Sequence, residues 1–466
     1  MQNKHLTVLL LLLALAMLFS ACVGTPPETP PGPGGETPGG DTSGGDSGNE
    51  DYTDENDPVP PATPGYSENG IFGDSETEIP TIRINTKNGA TIESRDIYLD
   101  ATVSCDGAHA LSGVAASVRG RGNSSWLEFE KKSYRLKFDK KQDLLGMGAA
   151  KDFILISSAM DITMMQNYAA LKLAVALGSD YAPECAFAHL YLNGKYNGLY
   201  LVSERIEEDE ERLDIGNGMG GGTDVGYLIE YGGNVDLTDK NLFQLYPVEY
   251  KGKWYAWRDW FFAVVKSPDE DFCTAAQVQY IADYVNRVNA AIFKKDFHTF
   301  ASLCDVDSFL NYVLVNELFL NNDLDFSYYM YKQPGGRLYL GPVWDFDQSC
   351  GMSEKVGNRY DGWAVNHFDS WVTALLEMPE FRERLMDKWI ENYAMIHTIP
   401  ADIRAKATYM RADINRNFRR WQVIGQPYWR MTEECAGYKT YDEFLARLTL
   451  WLENRAKWID GEFHLP

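Results

Sequence analysis

Two acidic loops in the second half of the sequence hold the residues best suited to chemistry. They span residues 316–325 and 341–347. Their four aspartates are Asp323, Asp325, Asp345 and Asp347. Clustered carboxylates suit a hard divalent cation such as Mg²⁺, which prefers oxygen ligands, and such a cation can neutralise a polyphosphate during phosphoryl transfer. A single loop aspartate more often caps a helix or a turn, so this hypothesis depends on both loops together.

A short hairpin is expected to bring the two loops to one place. Residues 329–332 and 337–340 predict its two strands, and an apolar helix over 309–319, with Asp305 or Asp307 as its cap, leads into the first loop. Because one loop precedes this hairpin and the other follows it, we expect Asp323 and Asp345 to face one cleft.

The remaining pattern predicts strands in the first half of the folded part and helices in the second. Strands are predicted within 79–105, over 132–138 and 227–231, and in a hairpin over 188–206 that turns at Asn193-Gly194. Residues 337–345 are predicted to form a late strand. Helices are predicted over 278–292, 379–396, 400–418 and 440–459. This order predicts an α+β fold with two lobes, β-rich in its N-terminal half and α-rich in its C-terminal half.

Five segments, in this order, resemble the motifs of the CotH kinase family. They are residues 119–126 (Arg-Gly-Arg-Gly-Asn-Ser-Ser-Trp), 131–135 (Lys-Lys-Ser-Tyr-Arg), 192–200, 316–323 and 341–347. The resemblance covers roughly residues 79–430, and five ordered motifs are more specific than any single pattern. It implies a divergent protein-kinase-like fold that uses ATP and a divalent metal, Mg²⁺ or Mn²⁺, to phosphorylate Ser or Thr of a surface or coat protein.

The resemblance also implies roles for particular residues. Asp323 matches the catalytic base, and Asp345 matches the metal-binding aspartate. The implied nucleotide-binding residues are Arg119, Arg121, Asn123, the phosphate-facing Lys132 and Glu204 as its ion-pair partner. Tyr328 stands where a protein kinase carries an asparagine that binds the second metal, so Asp325 or Asp347 is the candidate for that ligand.

The N-terminus resembles the leader of a bacterial lipoprotein. Lys4 and an apolar run precede small residues and Cys22, which predicts a signal peptide over 1–21 and a lipid on the Cys22 thiol. Residues 22–66 are rich in Gly, Pro and acidic residues and are expected to form a disordered tether. The folded domain is expected over 67–466, at the extracytoplasmic face of the cell membrane, held by the lipid alone.

The negative charge of the folded part argues against nucleic acid as a partner. The net charge of −24 divides into +1 from residues 1–23, −13 from residues 24–80 and −12 from residues 81–466. An acidic folded part argues against nucleic-acid binding. The seven cysteines show no paired metal-ligand spacing, and those after Cys22 are compatible with either disulfides or buried thiols.

Two other functions compete with a phosphotransferase. One is a noncatalytic binding or adhesion module on a kinase-like fold, because ATP is scarce outside cells. The other is a carbohydrate-active enzyme with Asp323 and Asp345 as its acid and base.

Overall fold

The computed structural model describes residues 71–72, 78–216, 221–232, 238–255, 262–269, 271–321, 323–324, 327–354, 357–364 and 370–465. The predicted signal peptide, Cys22, the tether and Asp325 lie outside these residues. None of the helices described has the length and apolar character needed to cross a membrane.

The N-terminal half forms a closed barrel of seven strands in the order β1-β2-β3-β4-β5-β7-β6. Neighbouring strands are antiparallel, except that β1 and β6 pair in parallel to close the barrel. The strands are β1 (Thr81–Thr86), β2 (Leu99–Cys105), β3 (Leu111–Arg121), β4 (Ser133–Asp143), β5 (Ala149–Ile156), β6 (Cys185–Leu192) and β7 (Lys195–Glu204). Alternate side chains such as Val118, Leu136 and Phe153 fill the interior.

A second, five-stranded sheet follows in the order β14-β13-β8-β12-β9. Its strands are β8 (Tyr227–Gly232), β9 (Leu242–Phe243), β12 (Phe262–Ser267), β13 (Ser327–Lys332) and β14 (Leu338–Leu340). A separate two-stranded sheet pairs β10 (Val248–Tyr250) with β11 (Lys253–Tyr255). The central strand β8 joins β13 of the site hairpin to β12.

Helices build most of the C-terminal half. Two helices lie among the barrel strands, α1 (Ser124–Leu127) and α2 (Gln166–Ala176). The helices that follow are α3 (Ala275–Phe293), α4 (Phe297–Leu303), α5 (Val306–Leu318), α6 (Trp371–Leu376), α7 (Pro379–Glu391), α8 (Tyr393–Tyr409), α9 (Arg411–Arg420), α10 (Glu433–Ala436) and α11 (Tyr441–Glu462). One large apolar core joins α2, α3, α5 and α11 to the five-stranded sheet and to outward side chains of the barrel such as Phe187 and Leu201.

Several sequence predictions are confirmed. The α+β class and the order of a β-rich half before a helical half are those predicted. Asn193 and Gly194, with φ of 50° and 80°, form the predicted turn between β6 and β7. Asp305 caps α5, because its Oδ1 accepts the Ser308 N–H at 2.9 Å.

Other predictions are wrong in their bounds. Residues 400–418 belong to two helices, and Pro400 lies inside α8, where burial of Ile399 and Ile403 offsets the missing N–H bond. The late strand ends at Leu340, because Gly341 turns the chain with a φ of 125°.

The barrel, which closes through pairing of β1 with β6, was not predicted from the sequence. The six cysteines in the part of the chain described are free thiols.

Candidate functional site

Asp323 is presented by a tight turn at the end of α5. After α5 ends, Leu320 adopts a φ of 45° and the Asn321 amide donates to Oδ1 of Asn316 over 3.0 Å. Oδ1 of Asn321 then accepts the Asp323 N–H at 3.1 Å. This chain of side-chain bonds fixes the direction in which the loop leaves the helix, and it leaves Asp323 half-buried.

The second acidic loop is anchored to the first by Phe346. Its ring packs edge-on against Phe319, with centroids 5.6 Å apart, and Cys350 N–H donates to the Phe319 carbonyl over 2.7 Å. Phe346 is fully buried, whereas Asp345 on one side of it is exposed and Asp347 on the other is buried. The buried phenylalanine therefore holds the two aspartates in different environments.

Gln348 joins the two loops directly. Its Nε2 donates to Oδ2 of Asp323 over 3.1 Å. Because Gln348 follows Asp347 in the chain, this bond brings the first loop to the aspartates of the second. The loops on either side of the β13–β14 hairpin thus meet at Gln348 and Asp323, while the convergence of Asp323 and Asp345 on one cation stays a prediction.

Asp347 is a buried member of the acidic group. Its Oδ1 accepts a hydrogen bond from the side-chain amide of Asn167. Burial, followed by the negative charges of Asp345 and Asp161, raises the pKa of Asp347 to about 7, while Arg121 and the Asn167 bond act in the opposite direction. Burial is the largest cause of this raised pKa and the neighbouring negative charges add to it, so a cation bound beside Asp347 would favour its ionised form.

Asp161 and Asn167 were missed by the sequence analysis. Asp161 accepts bonds from Thr163 N–H at 2.9 Å and from the N–H of Gln166, the first residue of α2, at 2.8 Å, so it fixes the turn that leads into the helix. Asn167 lies in the first turn of that helix. The spacing Asp161-x-Thr163-x-x-Gln166 before an apolar run is the signal that would have predicted a helix start here.

Arg121 is the predicted nucleotide-binding residue whose charge acts on the acidic group. It ends β3, on the face opposite the barrel interior. Its positive charge lowers the pKa of Asp347. It also lowers the pKa of Tyr329, against the larger raising effects of burial and Glu230. Among the contacts described, Arg121 makes no hydrogen bond and no ion pair, so its charge is available to a ligand.

Arg119, Asn123 and Lys132 have other partners. Arg119 donates to the Arg95 carbonyl and lies over the Tyr98 ring at 5.1 Å. Asn123 Oδ1 accepts from Arg95 at 2.8 Å.

Lys132 donates to the Trp126 carbonyl over 2.5 Å and lies 5.4 Å from the centre of that ring. These contacts tie the glycine-rich segment together and give Arg119 and Lys132 partners within it, and the predicted phosphate-binding role of the two residues stays a prediction.

Glu204 is not the partner of Lys132. Its carboxylate accepts the Glu184 N–H at 3.0 Å and the Tyr181 hydroxyl at 3.3 Å, and Arg212 Nε lies 3.7 Å away. Burial raises the pKa of Glu204 to about 7. The predicted Lys132–Glu204 ion pair is therefore wrong, because a buried arginine from the loop after β7 occupies the place expected for the lysine.

The carboxylates of Asp345 and Asp347 fit a small divalent cation whose remaining coordination positions are filled by a bound ligand. In the part of the chain described, no three His, Cys, Asp or Glu side chains form a ready metal site. Asp345 and Asp347 offer two carboxylates, and Mg²⁺ is usually held by one or two carboxylates together with substrate phosphates. Asp325, the third predicted ligand, lies outside the described residues.

Comparison with known proteins identifies the family. Residues 118–459 match the model of the family described as CotH kinase protein, and the chain belongs to that family. A relative is the inner spore coat protein H of Bacillus subtilis (strain 168), which is 23% identical over 293 residues, or 60% of this chain and 72% of the relative. The matched region includes both acidic loops, Arg121, and α2 with Asn167.

Proposed function

We propose that this protein transfers the γ-phosphate of ATP to a Ser or Thr hydroxyl of an acceptor protein, with Mg²⁺ or Mn²⁺ bound at the acidic loops. The observation that carries the proposal is the convergence of Asp323 with the loop of Asp345 and Asp347 through the Gln348 bond. The positive charge of Arg121 acts on the same group. Family membership supports a kinase-like protein of this kind.

Each residue has a definite part in the proposed reaction. Asp323 accepts the proton of the acceptor hydroxyl while the hydroxyl oxygen forms a bond to the γ-phosphorus. The bond from that phosphorus to the bridging oxygen breaks, and ADP leaves with the electron pair. Arg121 offsets negative charge on the phosphate oxygens. Asp345 and Asp347 would hold the divalent cation, which supplies charge neutralisation to the polyphosphate.

The proposal divides the site between the two halves of the fold, in a kinase-like manner. The barrel contributes Arg121 from the end of β3, and the C-terminal half contributes the aspartates. Arg119 and Lys132 shape the glycine-rich segment instead of binding phosphate. Trp126 explains why glycine is needed there, because a Cβ on Gly120 would overlap its ring.

The proposed location is the outer face of the cell membrane. A lipid on Cys22 would be the membrane contact, and the acidic tether would hold the domain away from the lipid. The acceptor would then be a surface or coat protein, an idea consistent with the name of the relative in Bacillus subtilis. Nucleic acid is not a proposed partner, given the acidic folded part.

One observation favours a second candidate, a noncatalytic binding module. Protein kinases need a lysine–glutamate ion pair to place the phosphates, whereas Glu204 in this chain lies beside Arg212. A module that has lost transfer would still use Asp345 and Asp347 to bind a metal nucleotide. Binding and transfer therefore need separate measurements.

A thermal-shift experiment tests the binding part of the proposal. ATP with Mn²⁺ should raise the melting temperature of the purified full-length chain by a few degrees at about 100 times Kd. Asp345→Ala, at an exposed position, should abolish the shift, and so should Asp347→Asn. Asp139→Ala, at an exposed position on the barrel, is the matched control and should keep it. An unshifted wild-type protein would contradict nucleotide binding.

A further inference from the structure

We infer that Asn167 is a positioning residue, which holds Asp347 so that its Oδ2 is the oxygen presented to a divalent cation. The inference rests on the proposed function and names a residue that none of the predicted motifs contains. Asn167 comes from α2, and it precedes Asp347 by 180 residues in the chain.

The orientation of the Asn167 amide follows from its two partners. Its Oδ1 accepts the Phe346 N–H at 2.9 Å, and a backbone N–H can only donate. The NH₂ group must therefore be the end that faces Asp347, where it donates to Oδ1. One side chain thus bonds to two successive residues of the acidic loop and fixes both the backbone at Phe346 and the carboxylate at Asp347.

Asn167 is itself held firmly. Its side chain is buried, with 5% of the residue exposed, and it lies in the first turn of a helix whose first N–H donates to Asp161. The preceding residue bonds to the same loop, because Ser349 Oγ donates to Gln166 Oε1 over 2.8 Å. A residue with so little freedom transmits the position of α2 to the loop.

The hydrogen bond from Asn167 to Oδ1 of Asp347 leaves the other carboxylate oxygen, Oδ2, for the cation. Among the contacts described, Asp347 accepts a hydrogen bond at Oδ1 but at no other atom. Oδ2 is thus the less committed oxygen, and Asp347 is set to act as a ligand through one oxygen. Tyr328 occupies the position at which a protein kinase has a metal-binding asparagine. The Asn167 amide bonds to Asp347 and acts in a supporting role, without being a ligand itself.

Binding of Mn²⁺ to the full-length protein, followed by electron paramagnetic resonance with and without a nonhydrolysable ATP analogue, tests this inference. Asn167→Leu keeps a similar volume and removes both hydrogen bonds, and Asn167→Ser is a smaller second variant if the first fails to fold. Partners that orient a metal ligand change metal affinity by about 10- to 100-fold when they are removed, so the dissociation constant should rise at least about tenfold. Ser349→Ala is the matched control. It removes the hydroxyl that bonds to Gln166 of α2 and to the Phe346 carbonyl, without touching Asp347, and it should stay within about twofold of the wild type.

Raising the Mn²⁺ concentration should restore ATP turnover by the folded Asn167 variant, because a positioning defect weakens binding without removing a reacting group. The inference is overturned if a folded Asn167 variant binds Mn²⁺ as tightly as the wild type, or if Ser349→Ala loses as much affinity. If the wild-type protein binds no Mn²⁺, the metal role in the proposed function fails, and this inference fails with it.

Discussion

The Gln348 amide donates to Oδ2 of Asp323 over 3.1 Å and so links the two loops that flank the β13–β14 hairpin. The bond spans 25 residues of sequence, and Phe319 and Phe346 from the same two segments pack edge-on against each other. Asp323 is thereby held beside the loop of Asp345 and Asp347. The separation of a candidate base from a candidate metal site is therefore set by packing in the core.

The glycine-rich segment should not tolerate a side chain at residue 120. A Cβ on Gly120 would overlap the ring of Trp126, whose carbonyl accepts from Lys132. Gly120→Ala should lower the free energy of unfolding by about 1–3 kcal/mol, in the range for overpacked sites. Urea unfolding measures this change. Gly222→Ala, where the added methyl meets open space, should be close to neutral, and equal losses in both variants would contradict the packing argument.

Arg455 should be needed for the stability of the helix that leads to Asp323. Its guanidinium bonds to the Glu317 carboxylate at 3.0 Å and to the Gly362 carbonyl at 2.6 Å, and both charged side chains are at most 2% exposed. Arg455→Met leaves a buried carboxylate without its arginine, which typically costs about 3–5 kcal/mol.

Chemical denaturation of this variant can be compared with that of Arg404→Met. The exposed pair of Arg404 with Glu453 should contribute less than about 1 kcal/mol. A loss at Arg455 no larger than the loss at Arg404 would refute the prediction.

Stability should rise with pH through Lys131. Burial lowers the pKa of Lys131 to about 7 in the folded protein, whereas an unfolded chain has a lysine pKa near about 10.4. Between these values the unfolded chain binds a proton that the folded chain does not, so the free energy of unfolding increases with pH. Below pH 7 Lys131 is charged in both states and the cost of burying its charge is fully present; that cost is relieved as the pH rises above 7.

Lys131→Met removes this pH dependence. The free energy of unfolding of the wild type, relative to the variant, should rise between pH 7 and pH 9.5 by up to about 1.4 kcal/mol per pH unit. Urea midpoints at several pH values measure the difference. A difference that stays constant with pH would show that Lys131 keeps its charge when folded.

Cys22 should determine where the protein is found. Cys22→Ser removes the thiol to which a lipid would be attached, so the variant should leave the membrane fraction of the producing cells. Membrane fractionation with an antibody against the folded domain measures the distribution. A variant that stays with the membrane would rule out lipid anchoring through this residue.

Much of the site could be predicted from local sequence. The β13–β14 hairpin, the Asp305 cap and the two acidic loops depend on residues a few positions apart, and these are the patterns that turn and capping rules describe. The convergence of Asp323 with the second loop followed from that local geometry.

The remaining features depend on contacts between distant segments. The barrel closes because β1 pairs with β6, more than a hundred residues along the chain, and Asn167 meets Asp347 across 180 residues. The partners of Lys132 and Glu204 were likewise set by tertiary packing, with Trp126 and Arg212 taking the places expected for phosphate and for the lysine. Rules based on the spacing of nearby residues do not predict contacts between residues so far apart in the sequence.

The most direct test of the central claim is the rate of phosphate transfer by wild-type protein and by Asp323→Asn. The assay supplies radiolabelled ATP and Mn²⁺ with pooled Ser- and Thr-containing peptides, and it measures labelled peptide together with the ADP formed. Because a general base typically contributes about 10²–10⁴-fold to a rate, Asp323→Asn should lose at least a hundredfold in transfer while keeping the thermal shift with ATP and Mn²⁺. A wild-type protein that binds ATP but forms neither ADP nor labelled peptide, or an Asp323→Asn variant as fast as the wild type, would contradict the account.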